Sequence, residues 1–224
     1  MKKKKGQWPI DQIVAAADKP ARKLDKAEFT EALATAGYGI ALIGFLFGLY
    51  EKAGGCTFYD SAYRIYPFRG DSRHHLPTLV EWNDLEGWKR LAPAKAQNIF
   101  YFCSNAFGDQ FGMALDAKKD LANENLAVLW VEKYRFESAT ASWSEAMAAL
   151  VTNDEAVGSY LARLKEVAWA SEKLGMPAPY ECYSSKVPVA LGGGKTLDDI
   201  EIKPMALHVD FTLQVLSQAR KANG

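Results

Sequence analysis

Residues 100–116 read FYFCSNAFGDQFGMALD, and this stretch decides the fold. Residues 99–103 are apolar on both alternations, which indicates a central strand covered on both faces. The aromatic run stops at Gly108-Asp109 and resumes at once. Glycine accepts a positive φ and aspartate bonds to nearby backbone amides, so this dipeptide favours a tight turn. The sequence therefore predicts two strands, over about 98–105 and 109–116, joined by that turn.

An alternative interpretation makes Asp109 a catalytic carboxylate. Burial among aromatic residues raises the pKa of a carboxyl group towards the range of a general acid. Hydrolytic acid–base chemistry usually needs a second titratable partner, and the neighbouring Asn105, Gln110 and Phe111 supply none. A distant His74 or His75 keeps a small hydrolase open as an alternative, but the turn is the favoured interpretation.

The composition describes a chain with a sizeable core and no net charge. Of its 224 residues 49% are hydrophobic, and 27 Lys and Arg balance 27 Asp and Glu. This balance argues against nucleic acid or a membrane surface as partner. The run Lys2–Lys5 marks residues 1–8 as a basic, frayed end, and we expect one α+β domain over residues 9–224.

The cysteines and histidines do not form a recognisable metal motif. The three cysteines, Cys56, Cys103 and Cys182, lie far apart in the sequence, and none belongs to a C-x-x-C motif. We therefore expect the protein to reside in the reducing cytoplasm, and Cys103 to pack as a small hydrophobe. The adjacent His74 and His75 diverge and His208 is isolated, so no metal site is predicted.

The segment VALGGGKT, residues 189–196, ends like a phosphate-binding loop. That motif requires a glycine where Val189 stands, and no helix follows because Leu197 opens a short acidic stretch closed by Pro204. We therefore expect a flexible loop here, and no nucleotide or other cofactor.

An uncharged segment at residues 32–50 is long enough to cross a bilayer. Its glycines and the helical spacing of Leu42, Phe45, Leu46 and Leu49 favour a buried helix over about 40–53 instead. Gly54-Gly55 would end that helix with a left-handed cap.

The other elements follow from local patterns. Residues 9–36 predict amphipathic helices broken at Pro20, residues 56–68 a hairpin, residues 79–91 a helix and residues 126–136 a strand. Three more helices are predicted: one begins at the Ser142–Glu145 capping box, one runs from Asn153 to Gly175, and one begins at Met205. Helices, then strands, then helices predict an α+β fold with a single mixed, mostly antiparallel central sheet wrapped by N-terminal and C-terminal helices.

Four segments resemble the SMI1/KNR4 (SUKH) superfamily and the related GAD-like and type VI secretion immunity (Tdi1-type) proteins. GFLFGLYEKAGGCTFYDSAYRIYPF (44–68) is similar to the entry helix and hairpin, and IFYFCSNAFGDQFGMALD (99–116) to the central hairpin. LAVLWVEKYRFESATASWSEAMAAL (126–150) is similar to the strand followed by a helix under it, and VPVALGGGKTLDDIEIKP (187–204) to the late Pro-x-x-Leu-Gly-Gly loop. Asp198-Asp199 departs from the Asn that these families often place there. The positions that carry the shared structural motif are Gly54, Gly55, Gly108, Asp109, Pro188, Leu191, Gly192 and Gly193.

The resemblance implies a non-enzymatic cytoplasmic immunity protein of bacteria, which binds and occludes a cognate toxin or effector. Expected partner contacts are Tyr66, Arg69, Asp71 and Arg73 in one loop, and Asp109 with Gln110 in another. Alternatives are a scaffold or regulatory component of a phage-defence or secretion-associated system, and the small hydrolase using Asp109.

Overall fold

The computed structural model describes residues 15, 17, 24–70, 77–151 and 155–223. Its architecture is α+β, as predicted. The helices are α1 (Lys26–Thr35), α2 (Ile40–Ala53), α3 (Leu79–Trp82), α4 (Ala94–Gln97), α5 (Trp143–Val151), α6 (Glu155–Val157), α7 (Leu164–Leu174) and α8 (Met205–Asn223). The strands are β1 (Thr57–Phe58), β2 (Tyr63–Ile65), β3 (Ile99–Asn105), β4 (Gln110–Leu115), β5 (Leu121–Trp130), β6 (Arg135–Ser142), β7 (Glu181–Ser185) and β8 (Ile200–Pro204).

Strands β1 to β6 lie side by side in chain order, and every neighbouring pair is antiparallel. Strands β7 and β8 form a separate antiparallel pair. Strand β3 is buried along its whole length, as its apolar sequence predicts. The Phe102 ring contacts Trp143 of α5, with centroids 5.3 Å apart, and the Tyr101 ring contacts Trp88 at the same distance. Elements that precede and follow β3 in the chain therefore share one core with it.

Helix α2 is the buried helix predicted from residues 40–53. Its first turn is capped from a distance, because Asp120 Oδ1 accepts a 2.8 Å hydrogen bond from the Leu42 amide. Only one of the two following glycines adopts the expected left-handed conformation: Gly55 has φ +80°, whereas Gly54 is extended. In the described part of the chain, no helix combines the length and the apolar character that crossing a bilayer requires.

The prediction of one helix over residues 79–91 is wrong beyond Trp82, where α3 ends. Asn83 ends α3 by turning its side chain towards β3, where Oδ1 accepts a hydrogen bond from the Tyr101 amide at 2.7 Å and Nδ2 donates to the Tyr101 carbonyl at 2.8 Å. The chain resumes as a 3-10 helix at Trp88–Leu91, and Leu85 is left 44% exposed between the two.

The strand predicted over 126–136 is two strands, β5 and β6, with a 3-10 turn at Val131–Lys133 between them. Strand β6 was not predicted, because its sequence RFESATAS lies half exposed at the edge of the sheet and shows little apolar alternation.

The long helix predicted from Asn153 to Gly175 is interrupted. Residues 152–154 lie outside the described ranges, and the chain breaks at Arg163, whose φ of +53° is left-handed. Its end at Gly175 and the C-terminal helix α8 are confirmed. Strands β7 and β8 were not predicted. Of the helices predicted over 9–36, the described residues contain α1.

Candidate functional site

The predicted turn at Gly108-Asp109 joins β3 to β4, and Asp109 is bonded on both carboxylate oxygens. Oδ1 accepts a hydrogen bond from the Val131 amide at 3.0 Å. Oδ2 accepts hydrogen bonds from Asn105 Nδ2 at 3.0 Å and from Arg163 Nη1 at 3.2 Å. Asp109 is only 2% exposed. The carboxylate therefore links three separate parts of the chain.

Both the backbone conformation and the close packing of the turn favour glycine at position 108. Its φ is +75°, and a Cβ atom there would lie 2.7 Å from Cδ2 of His208 and 3.3 Å from Sγ of Cys182. His208 is itself buried, with Nδ1 2.9 Å from Ser184 Oγ and 3.3 Å from Thr212 Oγ1. The turn is thus packed directly against the β7 strand and helix α8, which leaves no open space at Gly108 for a substrate.

Tyr66 and Gln110, predicted as partner contacts on two loops, meet each other inside the protein. The Tyr66 hydroxyl and Trp82 Nε1 both donate to Gln110 Oε1, at 2.6 and 2.9 Å, and Gln110 Nε2 donates to the Gly108 carbonyl at 2.7 Å. Burial raises the pKa of Tyr66, which keeps its hydroxyl a proton donor. Both side chains are buried, so they position the hairpin instead of facing a partner.

Of the remaining predicted contacts, Arg69 is exposed. Its side chain is 69% accessible and forms an ion pair with Glu28 of α1. Asp71 and Arg73 lie outside the described residues, as do His74 and His75. Partner contact at Arg69 stays a prediction.

A different surface displays apolar side chains. After β7 the chain places Val187, Val189 and Leu191 on the outside, with exposures of 49%, 37% and 47%, while Pro188 between them is buried. We call residues 187–191 the apolar loop. Lys186 on one flank and Lys195 on the other are exposed, so an apolar centre is bordered by charge, as in many protein–protein interfaces.

Hydrogen bonds fix the apolar loop internally and hold the two residues that precede it. The Leu191 amide donates to the Pro188 carbonyl at 2.8 Å, and the Lys186 amide donates to the Asp199 carbonyl at 2.7 Å. Glu132 accepts the Ser185 amide at 2.6 Å and also the Ser185 hydroxyl. The segment expected to be a flexible loop therefore begins with a fixed 3-10 turn, Val189–Leu191.

Close backbone packing explains one of the glycines that follow. A Cβ atom at Gly193 would lie 1.7 Å from the Val187 carbonyl oxygen, so the chain folds back on itself with no room for a side chain. Sequence reasoning identified Pro188, Leu191, Gly192 and Gly193 as a structural motif but missed the exposed surface it creates. The signal was present in three large apolar residues placed immediately before a run of glycines.

The described residues contain no group of three or more His, Cys, Asp or Glu side chains arranged to hold a metal ion. The three cysteines are buried and free, and Cys103 packs as a small hydrophobe, as predicted. Burial raises the pKa of each thiol, to about 11 for Cys56, which makes them poor nucleophiles at neutral pH.

Comparison with known proteins supports the fold alone. The crystal structure of Atu4351 from Agrobacterium tumefaciens is similar over 91% of this chain and 88% of its own, with a TM-score of 0.55 and 11% sequence identity. No family model matches the sequence, and no curated protein matches it.

Proposed function

We propose that this chain is a cytoplasmic, non-catalytic binding protein of the immunity type, which occludes a cognate bacterial toxin or effector. The observation that carries the proposal is the apolar loop, a braced surface turn with three large apolar side chains in solvent. A partner gains most from such residues when they are already fixed in place, because little side-chain and loop entropy is then lost on binding.

The resemblance to the SMI1/KNR4 (SUKH) superfamily and the immunity proteins related to it supplies the class of partner. The geometry around Asp109 is consistent with a structural role, because both oxygens of that carboxylate are bonded within the interior. Steric occlusion needs only a rigid surface that fits over the toxin's active cleft, and the apolar loop offers one.

The test is co-expression with the product of the neighbouring gene, followed by co-purification and a growth assay. We expect a stable complex and protection from toxicity. Val189→Glu and Leu191→Glu each place a charge at the centre of the surface and should weaken the complex by about 2 kcal/mol, roughly 30-fold.

Leu207→Glu on α8 is the matched control, because Leu207 is also apolar and 57% exposed but lies outside the apolar loop. It should leave both affinity and protection unchanged. The proposal fails if neither binding nor protection is seen with the wild-type chain. If a complex forms and all three variants bind equally, the partner-binding surface is elsewhere.

A further inference from the structure

A cavity of about 310 Å³ opens at one end of the main sheet, far in sequence from the apolar loop. Its walls come from the α1–α2 connection, the α3 region, the 3-10 helix and the β4–β5 turn. Val80, Leu85 and Leu115 supply apolar wall, and Tyr38 adds an aromatic side chain. This volume lies within the range that holds small ligands.

The most buried charged side chain of the wall is Lys89, which is 2% exposed. Its ammonium donates to the Ile99 carbonyl at 2.8 Å and, more weakly, to the Asn83 carbonyl at 3.4 Å. Among the described residues no carboxylate lies within ion-pair distance of it. An ammonium has three donors and a full charge, so Lys89 keeps one donor for a ligand, and its nearest charge-stabilising side chain is the Tyr101 ring, 5.9 Å from the ammonium to the ring centroid.

The other charges around the cavity select the kind of ligand. Lys119 extends over the Tyr38 ring, at 5.6 Å from the centroid, while Glu81, Asp84 and Asp116 are exposed carboxylates on the rim. Three carboxylates disfavour a multiply charged anion such as a phosphate ester. They suit a ligand with a single carboxylate for Lys89 and an ammonium group for the rim.

We propose that this cavity binds a small zwitterionic molecule of the amino acid type, with its carboxylate on Lys89, its ammonium near Asp84 and Asp116, and an apolar side chain against Val80, Leu85 and Leu115. This site is independent of the proposed toxin-binding surface. Its ligand would compensate a buried charge, which is the property that distinguishes Lys89 from the other lysines in the described chain.

Three matched probes test the contribution of each group: L-phenylalanine, 3-phenylpropionate without the amine, and phenethylamine without the carboxylate. Binding to the full-length protein is followed at pH 7 by amide chemical shifts of Tyr38, Leu85 and Lys119. We expect phenylalanine to bind with the highest affinity and phenethylamine at least about 10-fold more weakly than phenylpropionate, since loss of one ionic hydrogen bond costs about 1.5 kcal/mol or more.

The pH dependence provides a second readout. Burial, with a smaller effect from Lys119, lowers the pKa of Lys89 to about 8, whereas Asp84 acts in the opposite direction. Burial and Asp84 raise the pKa of Tyr38 to about 12, so its hydroxyl does not titrate below that value. Phenylpropionate, which has no amine, should therefore lose about 10-fold in affinity between pH 7 and pH 9 as Lys89 loses its proton.

Lys89→Met should abolish binding, and Lys95→Met on α4, an exposed lysine outside the cavity wall, is its control. If Lys89→Met fails to fold, Leu85→Arg blocks the cavity at a partly exposed position and should also abolish binding. Absence of any shift with all three probes overturns the proposal. So does phenethylamine binding as tightly as phenylpropionate, or Leu85→Arg leaving affinity unchanged.

Discussion

At the scale of single residues, buried polar side chains join parts of the chain that are distant in sequence. Arg64 of β2 is 2% exposed, and its guanidinium donates to four backbone carbonyls. Nη1 contacts the carbonyl oxygens of Ala178, Pro179 and Glu181 at 3.1, 2.7 and 2.6 Å, and Nη2 contacts that of Ser61 at 3.1 Å. One side chain thereby fixes the segment that leads into β7.

Replacing the Arg64 guanidinium with an apolar group should strongly destabilise the folded protein. Arg64→Met removes the donors from four carbonyl groups, one in a buried bond and three in partly buried bonds, and it releases the segment that leads into β7, so we expect a loss of about 3 kcal/mol in the free energy of unfolding. Urea denaturation measures the loss, with Arg135→Met as control because the Arg135 side chain is 56% exposed. A loss at Arg64 no larger than that at Arg135 would contradict this role.

His208 should make stability depend on pH in mildly acidic solution. Burial lowers its pKa to about 4, and Lys203 acts in the same direction while Asp109 opposes it. The unfolded chain takes up the proton near pH 6.5 and the folded protein only near pH 4, so stability is complete above pH 6.5 and falls as pH drops to 4. The loss is at most about 3 kcal/mol.

His208→Asn isolates this contribution, because all other titrating groups are retained. We take the unfolding free energy of the wild type minus that of the variant. This difference should fall by about 3 kcal/mol from pH 7 to pH 4, whatever the difference is at pH 7. A difference that stays constant over this range would show that His208 titrates normally in the folded protein.

At the scale of elements, the sequence predicted those whose pattern is carried by apolar residues. Strands β3 and β4 and helices α2 and α8 follow from runs or periodicities of residues such as Phe102 and Leu46, which enter the core. The helix ends that it missed depend on contacts distant in sequence. Asn83 ends α3 by bonding to β3, and Arg163 breaks a helix where it binds Asp109.

The candidate site was less predictable than the fold for the same reason. Tyr66 and Gln110 look like polar surface residues, and only their contact with each other places them inside. Val187, Val189 and Leu191 are exposed on a loop in which Gly193 packs against the Val187 carbonyl, a close approach that apolar patterning does not reveal. Polarity alone therefore predicted partner contacts at Tyr66 and Gln110, which are buried.

Two glycines, one in β4 and one in α2, should respond to alanine in opposite ways. A Cβ atom at Gly112 of β4 would lie 2.1 Å from the Phe100 carbonyl oxygen, next to the point where the β3–β4 register shifts. We expect Gly112→Ala to lower the unfolding free energy by about 3 kcal/mol, since backbone must move. At Gly44 of α2 a Cβ atom meets nothing within 4 Å.

Gly44→Ala is the matched control, and it should stabilise the protein by about 0.5–1 kcal/mol through helix propensity and a less flexible unfolded chain. Chemical denaturation of both variants gives the two values. A destabilised Gly44→Ala, or a neutral Gly112→Ala, would mean that the local packing differs from that described here.

At the scale of the whole molecule, the two sheets share one core. Cys182 and Tyr183 of β7, Ile200 of β8 and Val209 of α8 belong to the same buried cluster as β3. Backbone bonds reinforce this, because the Tyr183 amide donates to the Ala106 carbonyl at 2.7 Å. The β7–β8 pair is therefore packed as part of the main body, although the sheets are not hydrogen-bonded strand to strand.

This shared core predicts a single cooperative unfolding transition. Loss of the β7–β8 pair would expose buried apolar surface of the main sheet and orphan the Arg64 donors, so neither part should be stable alone. Tryptophan fluorescence during urea unfolding and hydrogen exchange at the Tyr183 amide, which donates to the Ala106 carbonyl, should give the same free energy. Val209→Ala, which truncates a fully buried side chain of α8, should lower both by the same amount, about 1–3 kcal/mol. Two results would contradict this prediction: exchange of the β7–β8 amides through an opening of much lower free energy, or a second unfolding transition. Either would mean that residues 9–224 do not unfold as one domain. The hydrogen bonds of Arg64 and Asp109 would then not couple the two sheets.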